Sequence, residues 1–253
     1  MCTRVLILFG GIYKMHKILK SFSNYFTKGE KLLWFISSML IIISFFIFDR
    51  ENYLTLAASL IGVTSLIFNA KGNPVGQFLI IIFGIIYAVI SFTYSYYGEI
   101  ITYLGMTGPM SVFALVSWLR NPYNGNRAEV KINSIKRKEI ALMIILTAMV
   151  TAVFYFVLSA FHTANLIPST ISVTTSFLAV YLTFRRSAYF ALAYAANDIV
   201  LIILWILATL SDVSYLSVVI CFVMFLVNDI YGFINWSRMQ DRQKTINNFT
   251  KSV

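Results

Sequence analysis

Long apolar segments follow one another along most of this chain, from Leu32 to Trp236. A helix that crosses the hydrocarbon core of a bilayer needs about 20 mostly apolar residues. The runs are continuous rather than alternating, and they are longer than membrane-barrel strands of roughly 10 residues. The pattern therefore predicts an all-α membrane protein. Its eight predicted transmembrane helices cover residues 32–48, 53–70, 75–94, 99–119, 139–160, 169–184, 188–210 and 215–236.

The composition agrees with lipid as the main solvent. Of the 253 residues, 59% are hydrophobic and 12% are charged, whereas an ordinary globular chain is about 25% charged. The apolar segments leave no room for a second, soluble domain. The two cysteines are Cys2 and Cys221. Because Cys221 lies within an apolar run, we do not expect a disulfide framework.

The basic residues give the orientation. If both termini lie on one side of eight spans, that side holds 19 of the 20 lysines and arginines, and the other side holds only Arg50. Bacterial membrane proteins carry such an excess on the cytoplasmic side. We therefore expect a multi-pass protein of the inner membrane with both termini in the cytoplasm. The lysines and arginines that give the net charge of +10 then face anionic membrane lipid, so the charge does not indicate nucleic-acid binding.

The chain ends are predicted to lie outside the membrane. Residues 1–30 form a cytoplasmic N-terminal segment, and residues 239–253 form a cytoplasmic tail. Val5–Tyr13 is apolar but too short to span. It is interpreted either as a helix lying at the membrane interface or as part of an over-long start, with Met15 as the initiator. The transmembrane domain takes up residues 31–238.

Weak internal similarity predicts a repeat. Val63-Thr64-Ser65 in helix 2 matches Val173-Thr174-Thr175 in helix 6, and Trp118-Leu119-Arg120 matches Trp236-Ser237-Arg238 at the ends of helices 4 and 8. One helix stands between the two triplets, so both cross the membrane in the same direction. This 3+1+3 parallel repeat, with one extra helix in front, would enclose a central path. Its parts are helix 1 at 31–48, bundle one at 52–119, the linker helix at 139–160 and bundle two at 168–236.

Polar groups inside the spans are the candidate site, because they are costly in hydrocarbon. Aromatic rings beside amides suit a nucleoside-sized ligand, since rings stack on a base and amides bind its polar edges. A cationic ring would gain cation–π contact and attraction to aspartate. The alternative is that these groups only hold helices together. The candidate substrate-binding residues are Gln77, Tyr87, Phe190, Tyr194, Asn197, Asn228, Asp229, Asn235 and Trp236.

Several chemistries are missing from the sequence. No P-loop pattern occurs, which excludes ATP hydrolysis by this chain. The only histidines, His16 and His162, lie outside the predicted spans, which disfavours a buried metal site. No lysine lies in the middle of a span, and no helix is rich in arginine. We expect no cofactor, no metal and no enzymatic activity. A transport path, a receptor and an intramembrane enzyme that uses carboxylates remain as classes.

Three segments resemble the PnuC family of nicotinamide riboside transporters. They are Ala70–Asn73 before helix 3, Tyr96–Glu99 before helix 4, and Asn228–Trp236 in helix 8. The last has the pattern N-x-x-Y-G-x-x-N-W. Asn197, followed eight residues later by Trp205, fits the same family.

The resemblance implies a fold and a function. The family is similar to SWEET sugar transporters in its 3+1+3 plan. It implies a homotrimer, uptake of nicotinamide riboside by facilitated diffusion, and trapping of the vitamin by cytoplasmic phosphorylation. One departure concerns the substrate: many members have an E-Q-W-x-x-W-like stretch at the start of helix 7, where this chain has Ala188-Tyr189-Phe190 and Ala193. Phe190 and Tyr194 would then supply the ring surface.

Two alternatives stay open beside nicotinamide riboside. Relatives of the family carry thiamine, riboflavin or deoxynucleosides, so a sister specificity keeps the fold and changes the ligand. A small membrane enzyme or a signalling receptor is a different class, and it would need a catalytic cluster or a signalling domain.

Overall fold

The computed structural model of this chain describes residues 25–93, 100–163 and 165–252. The Val5–Tyr13 segment, Met15 and Tyr96–Glu99 lie outside the described residues. Within them the fold is helical, with one short hairpin. The eight α-helices are α1 (Lys28–Phe48), α2 (Tyr53–Ala70), α3 (Pro74–Thr93), α4 (Gly108–Leu119), α5 (Arg137–Ala160), α6 (Leu166–Phe184), α7 (Phe190–Thr209) and α8 (Leu216–Ser252).

The described helices are those of an integral membrane protein. By length and composition, α1, α2, α5, α6, α7 and α8 can cross a membrane, which makes six candidate spans in the described part of the chain. In α3 the apolar stretch Pro74–Ile90 is shorter. The all-α prediction is confirmed, and the count of eight spans stays a prediction.

Local chemistry explains where α1 begins. It starts at Lys28, ahead of the predicted residue 32. The Glu30 backbone N–H donates to Thr27 Oγ1 at 3.2 Å, and the Thr27 N–H donates to Glu30 Oε2 at 2.7 Å. This reciprocal capping box satisfies N–H groups that a helix N-terminus leaves unpaired.

Helix 4 is not one regular helix, as residues 99–119 were predicted to be. Ile101–Thr107 is π-helical, and α4 continues from Gly108. Pro109 has no N–H to donate, and its ring crowds the carbonyl one turn earlier. The Gly108 N–H donates instead to the Tyr103 carbonyl, five residues back. The wider turn relieves that crowding, and π-helical segments of this kind are frequent at functional sites.

The C-terminus of α2 ends in a tight reversal. Gly72 takes a left-handed conformation, with φ of 67°. Its N–H donates to the Asn69 carbonyl at 2.9 Å, and the Asn73 N–H donates to the Phe68 carbonyl at 3.0 Å. Glycine suits this position because it reaches a positive φ without steric cost. The two hydrogen bonds of the reversal satisfy helix carbonyls that would otherwise be unpaired.

The C-terminus of α6 is built in the same way. Arg186 holds the left-handed conformation, with φ of 54°. Its N–H donates to the Thr183 carbonyl at 2.9 Å, and the Ser187 N–H donates to the Leu182 carbonyl at 3.0 Å. Arg186 tolerates a position that favours glycine because its guanidinium donates to Ser117 Oγ at 2.7 Å.

Two tryptophans bind these ends crosswise. Trp236 Nε1 of α8 donates to the Asn69 carbonyl of α2 at 2.7 Å, and Trp118 Nε1 of α4 donates to the Thr183 carbonyl of α6 at 2.9 Å. Asn69 and Thr183 each lie three residues before the left-handed residue. Both indoles are fully buried, with ring centroids 5.3 Å apart. We call these two contacts the crossed tryptophan joints.

A second pair of bonds repeats the pattern one residue away. Asn235 Nδ2 donates to the Ala70 carbonyl at 2.8 Å, and Ser117 Oγ donates to the Phe184 carbonyl at 2.9 Å. The last helix of each predicted bundle therefore holds the first helix of the other. When α2 and α6 are aligned at Asn69 and Thr183, the Val63-Thr64-Ser65 motif does not coincide with its predicted match. Val173-Thr174-Thr175 then lies one helical turn away from it.

The segment predicted as a loop at 120–138 contains a hairpin. Strands β1 (Pro122–Tyr123) and β2 (Asn126–Val130) are antiparallel and joined by Asn124-Gly125, both with positive φ. That pair is the usual sequence of a two-residue hairpin turn. The Val130 N–H donates to the Gly72 carbonyl at 2.9 Å, so the hairpin closes over the α2 reversal.

The helix α8 does not end near the membrane. It continues to Ser252, through the segment predicted as a tail. Gln243 accepts from the Ile132 N–H at 2.9 Å and donates to the Val130 carbonyl at 3.1 Å. Arg242 forms an ion pair with Glu129. These contacts hold the 120–138 segment against the C-terminal extension of α8.

We expect Trp118→Phe and Trp236→Phe each to lower the stability of the detergent-purified protein by about 1 kcal/mol, the usual net value of one hydrogen bond. Phenylalanine removes the N–H that reaches a helix-end carbonyl together with part of the buried ring, so the value of the hydrogen bond is a lower bound on the loss. The midpoint of thermal unfolding measures the effect. Trp205→Phe is the control, because the Trp205 indole N–H has no hydrogen-bond partner among the described residues. Equal midpoints for all three variants would contradict the role of the joints.

Candidate functional site

A cavity lies between the two predicted bundles, enclosed mainly by α2, α3, the π-helical segment, α6, α7 and α8. We call it the central cavity. Its polar wall on α6 consists of Ser169, Ser172 and Ser176. Hydroxyl groups at this spacing share one face of a helix. The richness of helix 6 in Ser and Thr is therefore the lining of a cavity, and it does not weaken its assignment as a span.

Asn197 projects from α7 into this wall. Its Oδ1 lies 2.8 Å from Thr175 Oγ1, 3.0 Å from Ser176 Oγ and 3.3 Å from Ser172 Oγ. The side chain is 6% exposed. In this orientation the amide Nδ2 makes no hydrogen bond to a described residue. Asn197 therefore holds two N–H donors ready for a carbonyl or hydroxyl of a ligand.

Two carboxyl groups meet in the same cavity. Asp198 of α7 is 4% exposed and Asp229 of α8 is 5% exposed, and both line the central cavity. The Asp198 Oδ2 atom has no donor among the described residues. The described residues that line the cavity include no lysine, arginine or histidine.

Aromatic side chains surround these polar groups. Tyr194 lines the cavity from α7, and its hydroxyl lies within reach of the Thr183 side chain. From the π-helical segment, Thr102, Tyr103 and Thr107 line the opposite part. The π-helical turn sets which side chains of helix 4 reach the cavity, since an extra residue in a turn rotates those that follow.

A second cavity lies at the end of the helices opposite the crossed tryptophan joints. Its lining includes Asp49 of the α1–α2 connection, Asp212 of the α7–α8 connection, and Trp205. Both cavities are lined by the same three rings, Phe83, Phe222 and Phe225, and the centroids of Phe222 and Phe225 are 5.6 Å apart. We call these rings the phenylalanine partition.

Of the nine candidate residues, four line one of the two cavities and five line neither. Tyr194, Asn197 and Asp229 line the central cavity, and Tyr87 lines the second one, its ring 4.5 Å from that of Tyr103. The remaining five belong to neither lining. They are Gln77, Phe190, Asn228, Asn235 and Trp236.

Each of those five has a structural partner. Gln77 Nε2 donates to Asn69 Oδ1 at 2.8 Å. Phe190 packs edge-on against Trp236, with centroids 4.7 Å apart. Asn235 and Trp236 bind the α2 end as described above. Any part these residues take in ligand binding stays a prediction.

Asn228 ties α8 to α1. Its Nδ2 donates to Ser37 Oγ at 2.9 Å and to the Met224 carbonyl at 2.8 Å, and the side chain is 1% exposed. An amide with these bonds holds helices together, which is the alternative interpretation of polar residues within spans.

Sequence reasoning missed much of the cavity wall. Asp198 follows Asn197 directly in the sequence, but it was not among the predicted site residues. Ser172 and Ser176 of α6 could have been found by their spacing of four residues, which repeats one helical face. Thr102 and Tyr103 had no such signal, because their orientation depends on the π-helical turn before Pro109.

We expect Asn228→Ala to destabilise the detergent-purified protein by about 1–3 kcal/mol, because it leaves the buried Ser37 hydroxyl without its donor. Thermal unfolding measures the loss. Asn133→Ala is the control: its side chain makes no hydrogen bond in the described structure, and its unfolding midpoint should correspond to a change within about 0.5 kcal/mol. A stable Asn228→Ala protein with weakened ligand binding would instead place Asn228 in the site.

Comparisons with known proteins agree on one family. Residues 52–238 match the family described as nicotinamide mononucleotide transporter. A curated relative, the nicotinamide riboside transporter PnuC of Neisseria mucosa, is 26% identical over 204 residues, which cover 78% of this chain and 76% of the relative.

A solved structure shares the fold. It is the crystal structure of the vitamin B3 transporter PnuC, which superposes with a TM-score of 0.74 at 23% identity. The alignment covers 86% of this chain and 94% of that one. The likeness extends over nearly the whole of the solved chain, so the helix arrangement around the central cavity is a shared arrangement.

Proposed function

The chain belongs to the nicotinamide mononucleotide transporter family, and from that premise we propose that it carries nicotinamide riboside across the bacterial inner membrane. The family is one of transporters, so the chain is a transport protein and not an enzyme. The relative from Neisseria mucosa is named for nicotinamide riboside, and that name supports the choice of substrate. The function proposed is uptake of the vitamin without chemical change.

The central cavity is the observation that carries this proposal. Nicotinamide riboside joins a flat cationic ring and a carboxamide to a ribose. Asn197 offers free amide donors, Tyr194 and Tyr103 offer ring faces, and Asp198 and Asp229 offer negative charge. Rings attract a cation over their faces, and amides bind carbonyl and hydroxyl groups. These groups match the chemistry of such a ligand part by part.

The two ends of the path suggest how the substrate passes. The central cavity lies between the phenylalanine partition and the cluster of Trp118, Phe190 and Trp236. We propose that two bundles of three helices, related as a 3+1+3 parallel repeat of the SWEET kind, move against each other around this cavity. The matching α2 and α6 ends support the repeat. Midplane sites between repeats suit alternating access.

The driving force is proposed to be the substrate gradient. No P-loop occurs in the sequence, which disfavours ATP hydrolysis by this chain. The family resemblance implies facilitated diffusion, and phosphorylation of the vitamin in the cytoplasm would keep the gradient inward. The crossed tryptophan joints lie at the basic end of the helices, beside Arg186 and Arg120. By the positive-inside rule this end faces the cytoplasm, with both termini. Assembly as a homotrimer is part of the same proposal.

A second candidate function is transport of another vitamin or nucleoside. The observation that favours it is the start of α7, where Phe190 is 1% exposed and packs in the tryptophan cluster rather than in the cavity. The ring surface expected there is therefore not supplied by Phe190. Thiamine, also a cation, fits the carboxyl groups, whereas riboflavin and deoxynucleosides would use only the amide and the rings.

We expect isothermal titration of the detergent-purified protein with nicotinamide riboside to show saturable binding at micromolar affinity or tighter. Thiamine, riboflavin and deoxynucleosides are titrated in the same way. Asn197→Ala should weaken binding by roughly tenfold or more, the value of about 1.4 kcal/mol for lost hydrogen bonds. Heat from another ligand, and none from nicotinamide riboside, would transfer the proposal to a sister specificity.

In liposomes with the same buffer on both sides, we expect uptake of labelled nicotinamide riboside that stops at equal concentrations. Adding a kinase and ATP inside the vesicles should extend uptake beyond that level, because the product no longer leaves. Recovery of a chemically altered solute without a kinase would contradict the transporter proposal. Accumulation above the outside concentration without a kinase would contradict facilitated diffusion.

A further inference from the structure

Asp198 and Asp229 would place two negative charges in the central cavity if both carboxyl groups were ionised. Asp198 and Asp229 are both buried and line the same cavity from two helices that pack on each other, and their charges interact. Two carboxylates that interact in a buried site do not both stay ionised, and they share one proton instead. The Asp198 Oδ2 atom, buried and without a donor among the described residues, is where such a proton would bind.

No side chain of the cavity wall supplies a compensating cation. The linings from α2, α3, the π-helical segment, α5 and α6 contribute no charged residue, and those from α7 and α8 contribute only the two aspartates. The titratable side chains that interact with the pair are Tyr194 and Cys221. Tyr and Cys side chains are ordinarily uncharged near neutral pH. The described residues that line the cavity therefore supply no positive charge, and a cationic ligand would bring one.

We propose that Asp198 and Asp229 form one site that holds either a shared proton or the positive charge of a ligand, so that a cationic ligand releases the proton as it binds. The inference rests on the proposed function, which supplies the cation. The O–H bond of the pair breaks, the proton passes to water, and the pyridinium charge takes its place. The charge inside the membrane is the same before and after.

This exchange makes the pair a determinant of specificity. It favours a cationic ring over an uncharged ring of the same shape, because only the cation takes the place of the proton without changing the charge of the site. The affinity for a cation should rise with pH, since the competing proton is then scarcer. In symmetric buffers the direction of transport still follows the substrate gradient.

The test compares two ligands of nearly the same shape. Nicotinamide riboside is cationic, and its reduced dihydro form is uncharged. Each is titrated calorimetrically in two buffers that differ in ionisation enthalpy, which counts the protons released. We expect close to one proton per nicotinamide riboside and none per reduced ligand. The affinity for the cation should rise by up to about tenfold per pH unit, the limit for release of one proton.

The double variant Asp198→Asn/Asp229→Asn should lose both the proton release and the preference for the charged ring. Asp241→Asn, on the exposed extension of α8, is the matched control and should keep both. If the double variant does not fold, the comparison of the two ligands on the natural chain decides by itself. Binding of nicotinamide riboside without proton release overturns the proposal.

A ligand-free measurement separates this proposal from the proposed function. The infrared absorption of a buried protonated carboxyl group should be present near neutral pH and absent in the double variant. If nicotinamide riboside does not bind while this absorption is present, the substrate is wrong and the shared proton stands. Thiamine then serves as the cationic probe. If the absorption is missing, the shared proton is overturned.

Discussion

The fold depends on how the helix ends at one side of the membrane satisfy their carbonyl groups. A helix leaves its last carbonyls without intrahelical partners, and lipid offers none. Here the α2 and α6 ends first bond to their own reversals, at Gly72 and Arg186. They then accept an indole N–H from the other predicted bundle. One requirement thus sets both the local geometry of the turns and the pairing of the bundles. The central cavity is held open between those bundles.

Much of this arrangement could be predicted from the sequence because it rests on periodicity. Continuous apolar runs predicted the helix bounds to within a few residues, except at the C-terminal end of α8, which continues to Ser252. The errors came where a single residue decides. Pro109 converts a regular turn into a π-helical one, and Asn124-Gly125 turns a loop into a hairpin. A capping box starts α1 early. Such effects depend on hydrogen bonds that hydropathy does not report.

The site could be predicted only in part, for a different reason. The sequence shows which polar residues lie in spans, but it does not show what they contact. Asn197 and Asn228 carry the same side chain at similar depth along neighbouring helices. Asn197 Oδ1 lies against hydroxyl groups of α6, and its amide donors make no hydrogen bond to a described residue. Asn228 donates to the Ser37 hydroxyl and to the Met224 carbonyl. Only the neighbours distinguish an amide whose donors are unused from an amide whose donors join helices.

The same distinction orders the whole set of polar residues within the helices. Trp236, Asn235 and Gln77 give their N–H groups to backbone or amide oxygens of α2, so their hydrogen-bonding capacity is used by the fold. Asp198 keeps an oxygen without a donor, and the described residues that line its cavity include no basic side chain. A buried polar atom left unsatisfied costs free energy, so this oxygen is a position where a bound proton or ligand would stabilise the protein. The role proposed for the cavity rests on this oxygen together with the residues that line the cavity.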